Sequence, residues 1–136
     1  MGRLVIWHCF SCQPASLKPA RAALRASLPA GMASDQTGLI VLAAGEVWQN
    51  IIRHAARGGD PDRLFFFSLA WRGGLVRLLI FDNNPPALMP SAWPRHLPGP
   101  QGGFGHLWID RLAISVSYRA CAKGVAARLV FDPGRL

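Results

Sequence analysis

Leu39-Ile-Val-Leu-Ala-Ala-Gly-Glu-Val-Trp-Gln-Asn-Ile-Ile52 reads as a segment made for burial, with only three polar side chains. Glu46 and Asn50, followed by His54, are spaced four residues apart. At about 100° per residue they form one slowly drifting line along a helix. A carboxylate and an amide on the border of an apolar face are costly unless they meet partners. The stripe therefore marks a candidate site; the plainer role is a polar helix side that faces water. Gly45 argues against the plainer role. Glycine inside a helix costs about 1 kcal/mol relative to alanine, so its presence predicts close approach by a strand or a ligand. Asp35 or Thr37 is placed to cap this helix, which should run to about Ala56.

Working outward, Leu4 to Ser11 is rich in β-formers and reads as an edge or outer strand. Ser16 to Leu28 carries Leu17, Ala20, Ala23, Leu24 and Leu28 at helical spacing, with Lys18, Arg21 and Arg25 on the other side. Pro29-Ala-Gly31 ends that helix. Beyond the central helix, Arg63 to Trp71 and Leu75 to Asp82 are two strands joined by Arg72-Gly73-Gly74, a hairpin signal. Asn83 to Gln101 holds six prolines and has no hydrophobic period, the mark of a functional or mobile loop. Gly102-Gly-Phe-Gly105 opens a helix from His106 to about Leu112. Ile114 to Tyr118 and Val125 to Phe131 are the last strands, turning at Ala122-Lys-Gly124. The element order predicts an α+β domain: a mostly antiparallel sheet with helices on one face.

At 136 residues the chain makes one domain able to bury a core unaided. With 51% hydrophobic and 16% charged residues it is a folded globule rather than a disordered chain. No apolar run is long enough to cross a bilayer, and no export signal is recognisable, so a cytoplasmic location without membrane partners is expected. The net charge of +8 attracts anions, nucleotides among them. The basic residues do not interleave with aromatics as in an RNA platform, so direct nucleic-acid binding is not expected. Cys9-Phe-Ser-Cys12 has redox spacing, but it falls in a strand, where residues three apart face opposite sides. With Cys121 the count is odd, and all three cysteines read as structural.

Three polar signals carry the chemistry. Glu46 is suited to a general base, and the neutral carbonyl oxygen of Asn50 suits a Mg²⁺ that keeps several waters and phosphate oxygens. His54 can hydrogen-bond phosphate or ribose. Asp82 ends the apolar strand Leu78-Leu-Ile-Phe81 and can accept from an exocyclic amine such as that of adenine; the competing role is a turn-forming aspartate. Gly102, Gly103 and Gly105 precede a helix, whose free N–H groups suit phosphate. Neither a P-loop nor a dinucleotide-binding glycine motif is present.

Taken in this order and separation, the three signals resemble the GHKL ATPases (gyrase, histidine-kinase and MutL types), and within them the anti-sigma-factor serine kinases. Glu46-Val-Trp-Gln-Asn50-Ile-Ile-Arg-His54 resembles their N-box, Phe81-Asp82-Asn-Asn84-Pro their adenine box, and Gly102-Gly-Phe104-Gly105-His106 their second glycine box. The resemblance runs from the first strand to Phe131. It implies a two-layer sandwich of the Bergerat type over residues 1–136, with an ATP lid at about 83–101. It implies ATP and Mg²⁺ as cofactors, Asn50 as metal ligand and Glu46 as the base that activates the attacking hydroxyl. Asp82 and Asn84 would lie at adenine, while Gly102, Gly103, Phe104, Gly105 and His106 would wrap the phosphates. Arg53, Arg95 and His106 are candidates for a cation on the γ-phosphate. The implied reaction is phosphoryl transfer to a serine of an anti-anti-sigma (STAS) protein, by a homodimer that binds either a sigma factor or that antagonist. The family's adenine box usually reads D-x-G, and here the third place is Asn84. Asparagine is the non-glycine residue that best tolerates positive φ, so the turn can be kept, with nucleotide affinity in question. A non-catalytic regulator-binding module with a degenerate nucleotide site is the alternative that this departure supports.

Overall fold

The computed structural model describes residues 6–60, 62–85 and 109–136. Five strands form one antiparallel sheet: β1 (His8–Ser11), β2 (Leu64–Arg72), β3 (Leu75–Asp82), β4 (Ser115–Cys121) and β5 (Gly124–Phe131). Their order is β1-β2-β3-β5-β4. The first strand is an edge, as expected. The β2–β3 hairpin turns at Gly73 and Gly74, with φ of 60° and 76°. Two successive positive φ values match the turn to the right-handed twist of the strands, and glycine adopts them without a Cβ penalty.

Two helices cover one face: α1 (Leu17–Ser27) and α2 (Ser34–Gly58). Pro19 lies in the first turn of α1, where no intrahelical N–H is required. Ala33 occupies the position before α2, correcting the expectation of Asp35 or Thr37. The side chain of Gln36 reaches back and accepts from the Ala33 N–H at 3.2 Å, and Asp35 falls in the first turn, where the helix dipole favours it. Gly59 ends α2 in the left-handed conformation.

The strands alternate as a half-covered sheet should. Phe65 and Phe67 of β2, Val76, Leu78 and Ile80 of β3, and Leu129 and Phe131 of β5 are fully buried under the helices. Trp48 of α2 is fully buried against Phe65 and Phe67, with ring centroids 5.8 and 5.1 Å away. Ile109, from the helical turn at 109–112, joins the same core.

Among the described residues, what a Cβ on Gly45 would meet first is a side chain of the neighbouring helix rather than a strand. Its nearest neighbour is the guanidinium of Arg21 on α1, whose Nε lies 3.2 Å from where a Cβ would stand. The missing side chain lets α1 lay an arginine across α2. Cys9 is exposed and Cys12 is half-buried, and both thiols are free. Burial pushes the Cys12 thiol up to about 12, with a smaller contribution from the charge of Asp82, which makes it a poor nucleophile.

Candidate functional site

The periodic apolar face of α2 holds the helix on the sheet, and that docking decides where its polar stripe points. Glu46, Asn50 and His54 are each half-buried, neither projecting into open solvent nor sealed in the core. The expected border position is therefore observed. Burial lowers the pKa of His54, and the charges of Arg57 and Arg53 lower it further, so a neutral imidazole is favoured.

Asp82 ends β3 on the helix side of the sheet, opposite Phe65 on one neighbour and Val125 on the other. It is only 6% exposed. Loss of hydration pushes its carboxyl up to about 6; hydrogen bonds from Asn84 and the charge of Arg63 oppose the rise. Its Oδ1 accepts the Asn84 N–H at 2.9 Å. The turn-forming and ligand-facing roles set against each other from sequence are thus both open to this side chain.

Asn84 is buried, and its Nδ2 donates to the carbonyl of Ile51 at 3.1 Å, so the turn after β3 is fastened to α2 one residue beyond Asn50. Asn84 does not adopt the left-handed conformation: among the described residues every positive φ belongs to glycine. The departure from glycine is thus accommodated without the backbone geometry expected for it. The Asn84 Oδ1 is buried with no hydrogen-bond partner among the described residues.

Three parts of this arrangement were not anticipated. Arg63 bonds Asp60 at 3.2 Å and donates from Nη1 to the carbonyl of Asn83 at 2.6 Å, while Asn83 Oδ1 accepts from the Leu64 N–H at 2.8 Å. These bonds latch the start of β2 to the end of β3. Gly124 lies so close to the Asp82 carbonyl that an added Cβ would overlap that oxygen. Tyr118 faces the helix side opposite Ala127, and its phenol is held protonated by burial, with the charges of Asp82 and Asp110 acting in the same direction.

Gly102, Gly103, Phe104, Gly105 and His106 lie outside the described residues, as do Arg95 and all of the expected lid beyond Pro85. Arg53 is exposed. Among the described residues no group of three His, Cys, Asp or Glu is placed to hold a metal. Also among them, no helix is long and apolar enough to cross a membrane.

The donor set fits a magnesium-bound nucleotide. Asn50 offers a neutral oxygen, Glu46 a carboxylate one turn away, and the Asp82–Asn84 turn two acceptors for an amino group. Among the described residues the buried Asn84 oxygen has no partner, and since buried acceptors are rarely left unpaired a ligand amino group would suit it.

The fold, five antiparallel strands with helices on one face, is that of a GHKL-type ATPase domain. The family profile described as "Histidine kinase-like ATPase domain" matches residues 10–131, and the chain belongs to that family. Among solved structures it is similar to the histidine kinase domain of the blue-light activated histidine kinase EL346 from Erythrobacter litoralis, with a TM-score of 0.61 at 16% identity. That likeness covers 89% of this chain and 61% of the other, so this chain spans about three-fifths of the structure it matches. No curated protein matches the chain.

Proposed function

We propose that this chain is an ATP-dependent serine kinase of the anti-sigma type, with the anti-anti-sigma (STAS) protein as substrate. The observation that carries the reading is the tie from Asn84 to Ile51, which joins the base-reading turn of Asp82 to the helix that bears Glu46 and Asn50. In this reading Asp82 accepts from the adenine amine and Asn50 supplies an oxygen to the metal. Glu46 takes the proton of the serine hydroxyl as its oxygen attacks the γ-phosphorus. The bond to the β-phosphate oxygen breaks, and ADP leaves. Magnesium, when bound, neutralises phosphate charge. Such transfer rests on positioning and charge neutralisation, so few side chains suffice. A second copy of the chain and a sigma factor complete the proposed assembly, in which transcription is controlled by exchange of partners.

The test is thermal denaturation with Mg-ATP, followed by transfer of labelled phosphate to a STAS protein. Ligand at 100 times its Kd adds about 2.7 kcal/mol, which is several degrees for a domain of this size. Asn50→Ala is expected to abolish the shift, and Glu46→Ala to keep the shift but lose transfer. An unchanged shift in Asn50→Ala would overturn the metal assignment, and retained transfer in Glu46→Ala the base assignment.

A specific observation favours the second reading, a non-catalytic regulator-binding module. The Asn84 side chain stands buried at the place where the family's usual adenine box has a glycine without one. No shift at millimolar Mg-ATP would select that reading.

A further inference from the structure

Among the described residues nothing covers the face of the sheet away from the helices, and that face is not polar throughout. Strand register places Cys9, Phe66, Phe81, Ala126 and Arg119 in one row across it. The next row runs Ser68, Leu79, Arg128 and Ser117. Trp7 and Leu79 are 46% and 38% exposed, and Phe66 and Phe81 meet at a tilted 6.1 Å. Trp7, Phe66, Leu79, Phe81 and Ala126 line an apolar depression of about 520 Å³. A second depression of about 640 Å³ shares Leu79 and Ala126 with it and is walled by Arg119 and Arg128.

Among the described residues the charge on this face has one sign. Arg72, Arg77, Arg119 and Arg128 occupy outward strand positions and are exposed. No outward strand position carries a carboxylate, since Asp82 faces the helices. Among the described residues none of these four arginines forms an ion pair. A trough lined with aromatic and aliphatic side chains, bordered by unpaired guanidinium groups, has the anatomy of a recognition surface.

We propose that this open face docks an acidic amphipathic segment of a partner protein, its apolar side chains filling the Phe66–Leu79–Phe81 depression and its carboxylates pairing with Arg119 and Arg128. Charge complementarity chooses this occupant. A second copy of the same face would set arginine against arginine, which costs rather than gains energy. The surface lies on the opposite side of the sheet from Asp82 and does not depend on what the nucleotide site does.

Two labelled peptides test the assignment: one alternating leucine with glutamate, the other with lysine in place of each glutamate. The acidic peptide is expected to bind at least tenfold tighter, with affinity falling as salt rises. Its binding should shift the amide resonances of Phe66, Leu79, Phe81 and Ala126. Arg128→Glu should lose at least tenfold in affinity while its melting temperature and response to Mg-ATP stay as in the parent chain. Leu79→Glu should do the same, and Arg128→Glu alone carries the test if the leucine variant does not fold. Equal binding of the two peptides, or full binding by Arg128→Glu, would overturn the proposal. So would amide shifts confined to α2, a dimer in sedimentation that excludes the peptide, or capture by anionic phosphatidylglycerol vesicles without peptide binding.

Discussion

Asn84 and Ile51 join the end of strand β3 to helix α2 through a buried hydrogen bond of 3.1 Å, with the asparagine amide as donor. Asn84→Asp keeps the shape, removes the donor and sets a second carboxylate beside Asp82. A buried charge left without a partner costs about 3–5 kcal/mol. The variant is therefore expected to melt well below the parent at pH 7 and to regain much of the loss at pH 5, where the new carboxyl is protonated. Equal melting temperatures at pH 7 would show that the latch contributes nothing.

Gly124 is required by proximity. Its α-carbon stands against the Asp82 carbonyl, which cannot swing aside because Asp82 and Val125 are paired in the sheet. Gly124→Ala is expected to cost at least about 3 kcal/mol, the upper range for forcing atoms into a packed site, and to displace the Asp82 turn. Chemical denaturation measures the cost. A loss under about 1 kcal/mol would mean that the strands part there without strain.

The carboxyl of Asp82 gives stability a defined pH dependence. Its folded pKa is raised from 3.8 to about 6, so between those values the folded state holds more protons than the unfolded. Stability contributed by this group is present at low pH and is lost as pH rises through about 6, amounting to roughly 3 kcal/mol. His54 acts in the opposite sense, since its folded pKa is lowered and acidification below about 6.5 charges the unfolded state first. The difference between the parent and Asp82→Asn isolates the carboxyl: the parent should lose ground steadily from pH 4 to pH 6.5. Adenine nucleotide affinity should rise over the same interval, because the ionised carboxylate is the better acceptor. Parallel pH curves for the two proteins would contradict both statements.

Trp48 buries its ring completely, yet its indole N–H has no partner among the described residues. Trp48→Phe removes that unpaired donor while keeping an aromatic ring against Phe65 and Phe67, so it should change stability by less than about 1.5 kcal/mol. Trp48→Ala should cost about 3–5 kcal/mol. Equal losses in the two variants would mean that the N–H is satisfied after all.

The parts of the molecule legible from sequence were those set by local spacing. The apolar period of α2 and the Gly73-Gly74 turn each announce themselves within a few residues, and their elements lie where expected. The position of Glu46, Asn50 and His54 at the border of the buried face followed from the same period. What escaped was set by contacts between distant parts of the chain. Gly124 looks like an ordinary turn glycine until β3 is laid beside β5. Arg63 looks like a strand-flanking charge until Asn83 returns to it, and Gly45 gives no hint of Arg21. Nor does any local pattern say that β5, rather than β4, inserts next to β3.

Among the described residues the two rims of the sheet differ in length, four residues along β1 against seven along β4. Open strand edges are templates on which other chains can accrete. The shorter rim offers little purchase, so unwanted fibril-like growth in concentrated preparations would begin along Ser115–Cys121. A proline introduced into that outer strand, at a position whose N–H points outward, would blunt the seed while leaving the buried layer intact.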